Sequence, residues 1–249
     1  MASRNLLVEP LAARPRSPDQ LAALFAGGWP AFIDADQEAA AALPRVRELF
    51  AGWEFAALDP ATDELVAAGW AVPLGWDGDI GSLPTGYSDS LTRAVRDYDR
   101  GTAVDTAVIC ALQVRPDRAG AGVATALLQA LIDAALASGL VRVIAPLRPT
   151  AKHEVPLMPI HHYAALARPD GSARDPWLRT HLAMGGHMVS TAPASQIFTA
   201  GVGSWRRWSG LAMPTSGSYL VRDALAPVVV DVELDVGTLT EPCIWVRHR

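Results

Sequence analysis

Cysteine is nearly absent from this chain: two residues, Cys110 and Cys243, stand among 249, and neither belongs to a CxxC pair. The sequence therefore offers neither a disulfide framework nor a zinc knuckle, which suits a reducing compartment. Basic runs are missing too. With a net charge of −5 and its Lys and Arg scattered, the chain has no stripe that would neutralise a row of phosphates, so nucleic acid is not an expected partner. No apolar stretch reaches the roughly eighteen residues of a membrane span, and Met1 to Pro10 lacks the long apolar core of a leader. The expectation is a cytoplasmic protein without membrane contact. What is present is globular in balance: half the residues are apolar and 19% are charged. This length lets one α/β domain bury a substantial core.

Along the chain, Asn5 to Leu11 reads as a first strand. Ser17-Pro18-Asp19-Gln20 opens a helix through Leu21 to Phe25, which Gly27-Gly28 stops. The Ala-rich stretch Glu38 to Phe50 is a second helix, with Pro44 a break or a new start. Glu54 to Leu58 and Leu65 to Val72 flank the turn composition Asp59 to Asp63 and predict an antiparallel hairpin. Trp76 to Tyr87 reads as a loop and Asp89 to Tyr98 as a short helix. Thr106 to Val114, TAVICALQV, predicts a buried central strand. After a glycine loop, Val123, Leu127, Leu128, Leu131 and Ala135 recur at helical spacing until Ser138-Gly139, and Val141 to Leu147 makes another buried strand. Asp175-Pro176 and Gly185-Gly186 bracket a last helix. Beyond Ile197 the tail reads as strands broken by Gly and Pro, notably Pro227 to Leu234 and Cys243 to Val246.

The informative segment runs from Val114 to Leu128, where glycines stand between a strand and a helix. Glycine permits turn conformations without a Cβ clash and lets a ligand approach the backbone. No Asp, Ser or Thr caps the helix at Gly122, so its first amides are free to bind an anion, and a diphosphate fits. The spacing is not GxGxxG and the P-loop Lys is missing, which argues against Rossmann and P-loop readings.

Here the chain resembles the Gcn5-related N-acetyltransferase (GNAT) superfamily, whose signature is Gln or Arg, two residues, Gly, one residue, then Gly or Ala. Gly122 and Ala124 take the last two positions. The first falls on Ala119, a departure that Arg118 can offset. The resemblance covers roughly residues 54–189 and implies an α/β (α+β) fold: a twisted mixed sheet flanked by helices, its fourth and fifth strands parallel around a CoA cleft. Residues 1–196 would form this core, and residues 197–249 a β-rich C-terminal extension packed on the same domain. The donor implied is acetyl-CoA or another acyl-CoA. It would be held by Leu112, Gln113, Val114, Arg118, Ala119, Gly120, Ala121, Gly122, Val123, Ala124 and Thr125, with Cys110 to Val114 as the edge beside the pantetheine arm.

Acyl transfer to an amine needs oxyanion donors and an acid for the departing thiolate. The family's acid is commonly a Tyr four residues before a Gly-Phe pair. Gly185-Gly186 takes that place here and puts His181 at the acid's position, with an ordinary pKa near neutrality. His153 and Glu154, after the fifth strand, are candidate bases. Tyr219 is a backup acid. Trp177, Trp205, Trp208, Trp245, Tyr163 and Tyr219 suggest an aromatic acceptor pocket or, alternatively, core packing. His153, His161, His162, His181 and His187 match no zinc spacing, so no metal is expected.

The reading is direct transfer from an acyl-CoA to a small-molecule amine in a ternary complex. Alternatives are a carrier-protein phosphopantetheine thioester as donor or acceptor, a non-catalytic CoA-binding module, and a homodimer built through the Trp-rich tail.

Overall fold

The structure, a computed structural model, describes residues 6–26 and 28–249. Asn5 at the start of the first expected strand and Gly27 of the first helix stop lie outside them. One nine-stranded sheet organises the chain. In chain order its strands and the helices between them are β1 (Leu7–Pro10), α1 (Pro18–Ala26), α2 (Gln37–Leu49), β2 (Glu54–Asp59), β3 (Glu64–Leu74), α3 (Tyr87–Asp99), β4 (Thr106–Val114), α4 (Val123–Ala137), β5 (Arg142–Leu147), α5 (Ile160–Ala164), α6 (Pro176–Ala183), β6 (His187–Ala200), α7 (Val202–Ser209), β7 (Gly217–Tyr219), β8 (Val228–Asp231) and β9 (Val236–Arg247).

The strand order is β1-β2-β3-β4-β5-β9-β8-β7, with β6 paired to β9. Every pairing is antiparallel except β4 with β5. This is the mixed sheet expected from the resemblance, with helices on both faces. The alternation of a strand explains the near-continuous apolar runs. Ala107 and Ile109 of β4, like Val143, Ala145 and Leu147 of β5, pack with α4, α5 and α6. Val108 and Ile144 turn to the other face, among residues of α2 and α3. Because both faces are covered, no position of these strands needs a polar side chain.

Local signals decided most boundaries. Asp36 caps α2 by accepting the Ala39 amide at 3.0 Å, and Asp175 caps α6 by accepting those of Trp177 and Leu178. Pro44 neither ends nor restarts α2, which runs through it. Pro44 and Ala40, whose carbonyl loses its usual donor, are both exposed, where water can take the missing bond.

The tail departs from a set of strands. It contains α7, bracketed by Gly201 and Gly210, with Val202 and Trp205 buried three residues apart. A boundary between residues 196 and 197 would cut β6 in its middle. β9, from the tail, lies between β5 and β6, so the tail supplies an interior strand of the sheet as well as a third core cluster around Phe32, Phe198 and Trp205.

Candidate active site

β4 and β5 are hydrogen-bonded only through Thr106–Val108 and Arg142–Ile144. Beyond that they diverge, and Ile109 to Val114 on one side and Ala145 to Leu147 on the other wall a cavity of about 440 Å³. β4 is also bulged. Trp70 faces Ala111 and Ala71 faces Ile109, leaving Cys110 as the extra residue. A bulge leaves its extra residue out of the ladder and re-aims the local backbone, here on the wall of the cleft.

At one end of the cleft lies the glycine loop. Gly120 and Gly122 have φ of +75° and +77°, and no side chain caps Gly122. The first hydrogen bond of α4 runs from the Ala126 amide to the Gly122 carbonyl at 3.0 Å, so the amides of Val123, Ala124 and Thr125 precede the helical ladder. A Cβ at Gly120 or Gly122 would meet no atom of the chain within 4 Å. Their requirement is the left-handed backbone, and the space beyond is open to a ligand. Ala119 to Gly122 are exposed, while Leu112, Gln113, Val114 and Ala124 line the cleft itself. The donor set fits a diphosphate: backbone amides at the positive end of a fifteen-residue helix. Arg118 does not offset the departure at Ala119 as expected. Its guanidinium is paired with buried Asp59 at 2.8 Å, an anchor to the end of β2.

The other end is polar. β6 carries a second irregularity: Ala192 faces Cys243 and Gln196 faces Glu241, so Pro193, Ala194 and Ser195 together oppose Pro242. This bulge brings Ser195 and Gln196 to the cleft beside Asp36, whose carboxylate accepts from Ser88 at 2.5 Å and from Gln196 at 3.1 Å. Asp34, Arg47, Tyr87 and Arg148 complete this end. Arg148 is neutralised by a two-point pair with buried Glu241 at 2.7 and 2.9 Å, and Arg47 pairs with Glu54 at 3.0 Å. Asp34 has no ion-pair partner among the described residues. Burial pushes the phenol of Tyr87 and the thiol of Cys110 well up, so both stay protonated at neutral pH, and Cys110 is no thiolate nucleophile.

His181 lines the cleft, fully buried, its ring edge-on to Trp177 at 4.3 Å. Its Nδ1 lies 2.8 Å from Nε2 of His248, just beyond β9, and its Nε2 has no partner among the described residues. Gly186 makes this approach possible: a Cβ there would stand 3.0 Å from the His248 ring and 2.8 Å from the His181 carbonyl. Desolvation pulls His181 down to about 3 and His248 to about 4. Burial thus works against the neutral-range pKa on which the acid role rested and favours the neutral ring.

The same shift predicts a pH dependence. The unfolded state takes up the proton at its ordinary pKa of 6.5 and the folded state only near 3. Stability is thus full above 6.5 and falls as pH drops through that window, by up to about 1.4 kcal/mol per pH unit from His181. Urea unfolding from pH 7 to 4 should show a shallower acid limb in His181→Leu than in the unaltered chain; equal slopes would refute it.

The remaining expected residues do not join the cleft. His153 and Glu154 are exposed on a short 3-10 turn, Glu154 beside Arg174 at 3.7 Å. Tyr219 donates to the Thr215 carbonyl at 2.7 Å and packs in the third core cluster. Trp205 and Trp245 are core, Trp208 packs edge-on to Trp205, and Tyr163 donates to Asp175. Of the expected aromatics only Trp177 lines the cleft, joined by Trp29, Trp70 and Tyr87, which were not expected. The acidic end at Asp34 and Asp36 also went unread, although Asp36-Gln37-Glu38 ahead of an Ala-rich run is a capping signal. Ser195 and Gln196 carry no such signal, since their placement depends on a bulge opposite a distant strand.

Among the described residues no group of His, Cys, Asp and Glu is placed to hold a metal, and no helix is long and apolar enough to cross a membrane.

The sequence model of the acetyltransferase (GNAT) family matches residues 29–157. Over 247 aligned residues the chain is 30% identical to the arginine N-acetyltransferase avaD of Aspergillus versicolor, covering 88% of this chain and 84% of that protein. Two solved structures share the fold over nearly the whole length. The loading GNATL domain of CurA from Lyngbya majuscula superposes with a TM-score of 0.59 at 15% identity, covering 98% of this chain and 96% of that one. The GphF GNAT-like decarboxylase, in complex with isobutyryl-CoA, gives 0.55 at 19% identity, covering 95% and 98%. The chain belongs to the GNAT family of acetyltransferases, and with that membership come acyl transfer as its reaction class and an acyl-CoA as its donor.

Proposed function

We propose that the chain transfers an acyl group, most simply acetyl, from CoA to a small cationic amine of the arginine type, directly and without a covalent enzyme intermediate. The observation that carries this reading is the continuity of one cleft from uncapped helix amides to an acidic end. The amides from Gly120 to Thr125 hold the pyrophosphate, and the bulged edge from Cys110 to Val114 presents main-chain donors to the thioester oxygen. Among the described residues neither Asp34 nor Asp36 has an ion-pair partner, so a positively charged acceptor lowers the energy of this end. Arg47, paired with Glu54 at 3.0 Å, stands on the same wall. The arginine N-acetyltransferase relative supports the same acceptor class.

The amine must lose its proton before its lone pair adds to the carbonyl carbon. The C–S bond then breaks and the departing sulfur takes a proton. Tyr87 on the cleft wall keeps its proton and can supply it, His181 stands on the same wall as a neutral ring, and the protonated Cys110 thiol argues for direct attack.

Calorimetry with acetyl-CoA should give saturable binding, and CoA release should rise with arginine, agmatine or related cationic amines over neutral amines. Asp34→Asn should raise KM for the cationic acceptor about tenfold with acetyl-CoA binding unchanged. Tight binding without turnover across the panel would favour the non-catalytic module. Faster turnover with carrier-bound than with CoA thioesters would favour the carrier-linked reading.

A further inference from the structure

Among the described residues the buried pair His181 and His248 leaves two polar atoms without partners, Nε2 of His181 and Nδ1 of His248. With both rings neutral, the 2.8 Å contact holds one proton and one lone pair, so two arrangements exist. In the first, His181 donates from Nδ1, its Nε2 is bare, and His248 carries its proton on Nδ1. In the second, His248 donates from Nε2 into His181 Nδ1, and His181 carries its own proton on Nε2. Moving the bridging proton alone would leave an imidazolate beside an imidazolium, so the two neutral arrangements are distinct tautomer pairs, set by which nitrogen of each ring carries its single proton.

The surroundings favour the second. Arg249, the residue after His248, acts on the His248 ring by its positive charge, and His187 at the start of β6 works in the same direction. A bare Nδ1 suits that potential better than an N–H. On the His181 side, His248 is the titratable group that acts on the ring, and Trp177 presents an aromatic ring. His248 itself is fixed by main-chain bonds: its amide donates to the Val143 carbonyl at 2.8 Å, and the Val143 amide to the Arg249 carbonyl at 3.3 Å. Gly186 leaves the room that the ring occupies.

We propose that His248 is a positioning residue that fixes the tautomer of His181, so that His181 offers a neutral N–H donor to the cleft. A neutral imidazole N–H stabilises negative charge developing on the thioester oxygen or the leaving sulfur without first having to be protonated. This gives the buried histidine a role in which its failure to ionise is an advantage. The proposal rests on the acyltransferase reading for its consequence, but the tautomer is a property of the free protein.

Two experiments decide it. In protein labelled with 15N-histidine, the ring nitrogens of His181 should report a protonated Nε2 and a bare Nδ1, and those of His248 a protonated Nε2; a protonated Nδ1 on His181 overturns the proposal whether or not the enzyme turns over. In turnover, His248→Leu should lower kcat at least tenfold with KM for acetyl-CoA unchanged. His248→Gln, which returns an amide N–H near the position of Nε2, should recover most of the loss. Equal kcat in His248→Leu and the unaltered chain, or equal losses in both variants, would also overturn it. A lack of turnover in the unaltered chain would instead sink the functional reading, leaving the labelled spectra to decide this one.

Discussion

Gly122→Asp is expected to weaken acetyl-CoA binding by at least 100-fold while leaving the melting temperature of the protein nearly unchanged or slightly raised. The two effects part because the same atoms serve both. A carboxylate at the uncapped start of α4 can accept from the helix amides and suits the positive end of the helix, which favours the fold. It also puts a negative charge where the diphosphate would sit. At about 4 Å and an effective dielectric of about 20, two like charges repel by roughly 4 kcal/mol, well above the ~2.7 kcal/mol of a 100-fold loss. No atom crowds the site, and although φ of +77° strains any residue with a side chain, Asp bears it better than most, so the strain offsets the capping gain rather than unfolding the helix start. Gly122→Asn, of the same size without the charge, should lose far less, about tenfold. Calorimetry and thermal unfolding on the three proteins measure both quantities. Equal binding by the aspartate variant and the unaltered chain would remove the helix terminus from the site.

Trp205→Ala is the second large effect. Trp205 is fully buried, its indole N–H donates to the Gly237 carbonyl at 2.8 Å, and its ring lies 5.6 Å from Phe32 and 5.2 Å from Trp208. Truncation removes an aromatic side chain from a packed cluster and leaves the Gly237 carbonyl without that donor, a loss of ~3–5 kcal/mol. For a protein of ordinary stability that is a large share of the total. The damage should also reach the acceptor end, because Phe32 immediately precedes the segment Ile33 to Asp36 on the cleft wall. Thermal unfolding should show one transition at a lower temperature, with KM for the amine raised more than KM for acetyl-CoA. Two separate transitions, with the higher one and amine binding unaltered, would mean that the tail is an independent unit.

The donor end of the cleft was legible because it is local. A strand, a glycine turn, an uncapped start and an amphipathic helix lie within a continuous stretch, and each carries its own residue signal from Thr106 to Ala137. The hairpin of β2 and β3 and the caps of α1 and α6 were readable for the same reason, while the parallel pairing of β4 and β5 followed from the family resemblance. The acceptor end was not, because it is assembled from α2, α3, β6 and β9, far apart in the chain and joined by a bulge opposite Pro242. His181 illustrates the division. Its position on the helix followed from Asp175-Pro176 and Gly185-Gly186, but its state depends on His248, 67 residues further on. Likewise the tail's tryptophans and glycines look alike whether they make a helix or a strand turn, and burial against Phe32 and Phe198 settles α7.

The placement of β9 bears on how the protein comes to be folded. β9 follows both of its partners in the chain and is bonded to β5 on one side and β6 on the other, so it is a keystone that the earlier half of the sheet must wait for. A ribosome-bound chain lacking residues 236–247 exposes the open edges of both neighbours, where another chain can pair. Such long-range closure slows folding and lengthens the time for which those edges stand open to aggregation.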